Sequence, residues 1–230
     1  MTLTQKLRAE EEKVKALSRL LQGITYERSY EISNNEETKK KCEDAGSYPF
    51  IPMAYENMLN TFLAFKNHLE DVRQGKPFGK GRTKTFLHYL TFMDAGCGIG
   101  NMLALAYSVG FGRCIGVEFD SLAIEKGHEL FNFNNRRKTT IRRADILRYR
   151  RYSKADFIYF YCPMRDPKKE LKFELRVAKM MRVGTYISPC GIYPFYADPR
   201  FKEIHKDHPR IFEKTNDQEI DPDEVRKKAF

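Results

Sequence analysis

The chain has 230 residues, room for one well-packed domain with a smaller appendage but too few for two ordinary domains. Its 41% hydrophobic, 31% charged and 13% aromatic residues are the mixture of a globular protein and exclude a disordered or fibrous chain. A net charge of +10 points to an anionic partner, with the placement of the charge more telling than its sum.

Residues 1–50 hold nine basic and nine acidic side chains, so the excess lies further on. The opening MTLTQKLRAEEEKVK has neither the apolar core nor the cleavage site of a secretory signal. No apolar run later in the chain reaches the roughly 18 residues of a spanning helix, so a cytoplasmic protein without a membrane partner is expected. Leu3, Leu7, Val14, Leu17, Leu21 and Ile24 fall on one helical stripe, expected to pack on its own domain. Residues 33–47, SNNEETKKKCEDAGS, are polar and aperiodic and read as a mobile linker. The division that follows is a helical extension and linker over 1–47 and a main domain over 48–230.

After Tyr48, Met53, Met58, Leu59, Phe62, Leu63, Phe65 and Leu69 form an apolar helical pattern, and a loop is expected over 73–84. Strands then alternate with helices: strand 86–95, helix 99–109, strand 113–119, helix 121–134, strands 140–146 and 155–162, helix 168–182, strand 184–190. Such repeats imply an α/β fold, a doubly wound, mostly parallel sheet covered on both faces. Past Cys190 one further strand is visible, 210–214, which makes an abbreviated far edge the expectation. The five cysteines, Cys42, Cys97, Cys114, Cys162 and Cys190, are widely spaced with no CxxC pair and read as reduced thiols, not as metal ligands.

The most informative segment is DAGCGIG, residues 94–100, joining the first strand to its helix. Its glycines allow a tight turn and a close approach of ligand to backbone. The next strand ends in Glu118, 18 residues beyond Gly100, a spacing that brings a carboxylate to the ribose of a bound nucleoside. The nicotinamide fingerprint would need glycine at 101, where this chain has Asn101. Asp94 would repel a pyrophosphate but suits a ligand bearing an ammonium or sulfonium group.

On these residues the chain resembles the class I S-adenosylmethionine-dependent methyltransferases, whose first motif has the form acid-x-GxGxG. The resemblance covers about residues 85–191. It implies S-adenosyl-L-methionine as cofactor, with its methionyl part held by Asp94, Gly96, Gly98 and Gly100, its ribose by Glu118 and its adenine faced by Asp145. It places the loop 160–164, FYCPM, beside the transferable methyl, with Tyr161 as the catalytic candidate. That loop departs from the (N/D)PP(Y/F) motif of amino-methylating nucleic-acid enzymes. A weaker likeness, to the Dot1-type lysine methyltransferases, lacks their asparagine-containing loop. By analogy Tyr48 and Tyr55 would close the site, while Cys97 and Cys162 fill space and His205 and His208 lie on the surface.

The acceptor is expected to be a protein, with lysine as the candidate side chain, or a small molecule; a nucleic acid, RNA or DNA, is the alternative, and a non-catalytic cofactor-binding module is the reading of a different class, with oligomeric state left open. Residues 136–154 carry nine Lys or Arg against one acid, interleaved with Tyr149 and Tyr152, a mixture that suits a nucleic-acid strand and equally a charged edge strand. Arg148, Arg150 and Arg151, following the third strand, are expected at the rim of the cofactor face.

Overall fold

The computed structural model describes residues 30–48, 55–72, 86–131, 138–207 and 209–229, with scattered positions from 12 to 28. Every described position between 12 and 33 is helical. The stripe from Leu3 to Ile24, the loop over 73–84 and His208 lie outside the described residues.

Seven strands form one sheet in the order β3-β2-β1-β4-β5-β7-β6. They are β1 (Thr91–Ala95), β2 (Arg113–Glu118), β3 (Thr139–Arg143), β4 (Phe157–Tyr161), β5 (Tyr186–Cys190), β6 (Phe201–His205) and β7 (Ile211–Lys214). The first five are parallel, whereas β7 runs antiparallel to β5 and β6 antiparallel to β7. The order reverses between β1 and β4, and in such sheets that crevice, outside the strand C-termini, is where ligands collect.

The sheet is buried on both faces because its central strands are apolar at consecutive positions. On one face Phe92, Phe157 and Phe111 pack around Phe62 and Phe65 of the helix α2 (Tyr55–Val72). On the other, Met93, Ile158 and Phe160 meet Phe173 and Val177 of α5 (Pro167–Met180). Between these lie α3 (Asn101–Val109) and α4 (Ser121–Phe131), and α6 (Pro222–Ala229) ends the described chain.

Three expectations are corrected. Residues 86–89 form a 3-10 turn, so the first strand starts only at Thr91. The far edge is not abbreviated, since β6 and β7 complete it as a hairpin-like pair. The segment read as a mobile linker contains a helix, α1 (Glu36–Ala45). Asn35 caps it by accepting from the Thr38 N–H at 3.0 Å, Glu36 and Glu37 sit in its first turn, and Gly46 ends it at φ 68°. Ion pairs Lys39–Glu36 and Lys41–Glu37, both 2.7 Å, line its outer side. A helix this polar has too few apolar residues to show periodicity; only Thr38 and Cys42 are buried.

Candidate functional site

A cavity of about 510 Å³ opens over the C-terminal ends of β1, β2 and β4. It is roofed by α1, which spans it from end to end. Thr38 Oγ1 donates to Asp120 Oδ2 at 3.3 Å beside the tip of β2. At the other end the Arg165 N–H donates to the Gly46 carbonyl at 2.8 Å, and Lys169 Nζ to the Ala45 carbonyl at 2.7 Å, beside the tip of β4.

The floor is the glycine loop. Gly96, Gly98 and Gly100 all adopt positive φ, at 81°, 52° and 79°. At Gly96 a side chain would be strained by that backbone region, and an added Cβ would also stand in tight contact, 3.1 Å, with the Pro163 Cβ. The loop is tied back by the Gly96 and Cys97 N–H groups, which donate to the Val117 carbonyl at 2.8 and 3.1 Å.

Two carboxyl groups face this loop. Asp94 sits on the same sheet face as Phe92, two residues on, and is buried at the end of β1. Burial, reinforced by the neighbouring Glu118, holds its carboxyl well above the usual range. Glu118 is 7% exposed. Its Oε2 accepts from the Gly98 N–H at 2.9 Å, and its Oε1 from the Phe119 and Asp120 N–H groups at 2.7 and 2.9 Å. Burial raises its pKa, and the three N–H bonds pull against that rise. Two acids buried side by side are disposed to receive a positive ligand, which relieves both burial and mutual repulsion.

Asp145, after β3, also lines the cavity; its Oδ1 accepts from the Leu147 N–H at 2.8 Å. Arg148 stands beside it at 3.6 Å with its side chain 90% exposed. Arg150 and Arg151 are exposed and not part of the cavity wall. Tyr161, Cys162 and Pro163 form the wall at the tip of β4. Burial and the nearby Cys190 and Cys162 thiols raise the Tyr161 hydroxyl, leaving it a neutral phenol.

Tyr48 lines the mouth, with the Arg165 guanidinium 5.5 Å above its ring. Tyr55 does not: it is buried, its hydroxyl 2.6 Å from Thr25 Oγ1. Of the two cysteines expected to fill space, Cys97 is buried against the sheet, but Cys162 is half-buried on the cavity wall and is the one non-glycine described residue at positive φ, 38°.

Sequence reasoning missed the brace behind that wall. Glu170 and Glu174, one turn apart on α5, are both buried. Glu170 Oε2 accepts from the Met164 N–H at 2.8 Å, while Glu174 accepts from the Ile192 N–H at 2.8 Å and from the Tyr193 N–H. The loops after β4 and β5 are thus pinned to one helix. An added Cβ at Gly191 would stand 1.5 Å from Glu174 Oε1, so a side chain there would push that carboxyl away from the N–H groups it holds. Burial, then Glu174, pushes Glu170 far above the carboxylate range, and its Oε1 faces no donor among the described residues. A proton on Glu170, shared toward Glu174, satisfies both observations. The missed signal was a Glu pair at i, i+4 in ELKFE, indistinguishable in sequence from a solvated face.

No family model matches the chain, and no curated protein does. Among solved structures, it is similar to an RNA methyltransferase from Salinibacter ruber in complex with S-adenosyl-L-homocysteine, at 17% identity and a TM-score of 0.51 over 74% of this chain and 97% of that one. It is similar also to a candidate RNA methyltransferase from Pyrococcus horikoshii, at 16% identity and a TM-score of 0.50 over 71% of this chain and 86% of that one. The chain therefore has the Rossmann-like methyltransferase fold.

Proposed function

We propose that the chain is an S-adenosylmethionine-dependent methyltransferase acting on RNA. The observation that carries the first half is the convergence of Asp94, Glu118 and Asp145 on one roofed cavity with the positive-φ glycine loop as its floor. That donor set fits the cofactor. Asp94 suits its ammonium and sulfonium charge, the free lone pairs of Glu118 suit vicinal ribose hydroxyls, and the bare backbone at Gly96 admits a ligand where a Cβ would not. When bound, the cofactor supplies an already activated methyl group.

The protein's own part is then positioning and exclusion of water. The wall of Tyr161, Cys162 and Pro163 faces the glycine loop and would hold the acceptor in line with the donor. Tyr161, a neutral phenol, orients the acceptor by hydrogen bonding rather than serving as a strong base. The roof, α1, sequesters the donor.

The choice of RNA over a lysine side chain rests on the charge of the mouth. Arg148, Lys169 and Lys172 line it, with Arg165 stacked on Tyr48 close by. Cations beside an exposed aromatic ring attract phosphates and stack bases, and they repel an incoming ammonium. The two similar structures named for RNA methylation support the same reading.

The test is incubation of the full chain with methyl-labelled S-adenosylmethionine and cell lysate, in portions treated with ribonuclease, deoxyribonuclease or protease. Label that disappears only with ribonuclease supports the proposal. Label in protease-sensitive material overturns the acceptor, and calorimetry showing no binding of the cofactor overturns the whole reading.

A further inference from the structure

The tips of β4 and β5 carry a pair of thiols whose sulfur chemistry methyl transfer leaves unused. The strands are in parallel register with Tyr161 opposite Cys190, and the Cys162 N–H donates to the Cys190 carbonyl at 2.6 Å. The two sulfurs lie 3.7 Å apart. Both residues are half-buried, and Cys162 lines the cavity, where a small molecule meets it from solvent.

We propose that Cys162 and Cys190 form a reversible disulfide, a modification site on the cavity wall made by exchange with a small disulfide of the glutathione class. The inference stands on thiol chemistry and holds whether or not the chain transfers methyl groups. The two sulfurs are unequal. The hydrogen bond between the two thiols, working against burial, lowers Cys162 below the usual thiol range. Cys190 is pushed up by that same bond and by burial, with Cys162, Glu170 and Glu174 adding to the rise. Cys162, the one of the pair that lines the cavity, is the attacking thiolate, and Cys190, outside that lining, is the resolving thiol.

In the first step Cys162 Sγ attacks one sulfur of oxidised glutathione, forms a mixed disulfide and expels one glutathione thiolate, which takes up a proton. In the second, Cys190 loses its proton to solvent and attacks Sγ of Cys162, releasing the second glutathione. The protein has lost two hydrogens and oxidised glutathione has become two thiols, so the electrons balance. Closing the bond draws the sulfurs from 3.7 Å to about 2.05 Å. That movement pulls on Cys162, already at φ 38°, and through Pro163 on the wall packed against Gly96.

The full chain is incubated with oxidised glutathione, remaining thiols are alkylated, and intact mass and peptide maps are read. The expected product has lost two hydrogens, joins the Cys162 and Cys190 peptides, and reverts with dithiothreitol. Cys190→Ser should stop at a glutathione adduct on Cys162, Cys162→Ser should resist modification at 190, and Cys42→Ser should behave as the parent. A stable glutathione adduct in the parent, a bridge mapping elsewhere, or unmodified thiols would each overturn the proposal. Should either variant at 162 or 190 fail to fold by circular dichroism, the map of the parent decides alone.

Discussion

The cavity has two ends that hold their loops by the same means and for different purposes. At the β1–β2 end Glu118 binds three backbone N–H groups and still faces the cavity, so one carboxylate both shapes the glycine loop and offers itself to a ligand. At the β4–β5 end the jobs are divided. Glu170 and Glu174 fix the loops from behind, while Tyr161 and Cys162 form the surface. The difference teaches that a wall whose support lies outside it is free to change its lining, whereas a floor whose support is its lining is not.

The division is most sharply broken at Glu174. Glu174→Ala leaves the Tyr193 and Ile192 N–H groups without their acceptor, and each orphaned donor costs about 1–3 kcal/mol. A loss of about 2–4 kcal/mol in urea denaturation is expected, with cofactor affinity nearly unchanged. A loss of affinity matching that of a Glu118 variant would show that the two ends are not independent.

Glu118→Ala should do two things at once. Affinity for S-adenosylmethionine, measured by calorimetry, should fall at least tenfold, about 1.4 kcal/mol or more, and stability should fall by about 1–3 kcal/mol, less than three fully orphaned donors would cost, because the adjoining cavity lets water replace the acceptor at Gly98, Phe119 and Asp120. Lost stability with intact affinity would leave Glu118 a structural brace like Glu174.

A third test separates the braces by pH. Glu170 has its pKa raised in the folded protein, so the native state binds the extra proton and stability declines as pH rises above the unfolded carboxylate value of about 4.3. Glu170→Gln mimics the protonated form and should flatten that decline by up to about 1.4 kcal/mol per pH unit, read as melting curves from pH 5 to 9. An unchanged slope would place the proton elsewhere.

The sheet and the floor of the cavity were legible because their residues are constrained locally. Apolar runs such as FIYF in β4 mark a strand buried on both faces, and Asp94, the glycines and Glu118 lie within one strand–loop–helix–strand unit. The roof and the braces were not legible, because what defines them is distance in space. Thr38 meets Asp120 across 82 positions, and Glu174 meets Tyr193 across a strand and a loop. Polar sequence at α1 looked like a linker because its caps and ion pairs, not an apolar stripe, define it.

The roof has a kinetic consequence. A ten-residue helix is shorter than the roughly 12–15 residues at which isolated helices become marginal in water, so α1 owes its structure to docking at its two ends. Segments held in this way are the ones that open without global unfolding. A molecule in the cavity can add contacts to α1 only while α1 is docked. Occupancy of the cavity should therefore slow amide exchange in α1 more than anywhere in the sheet.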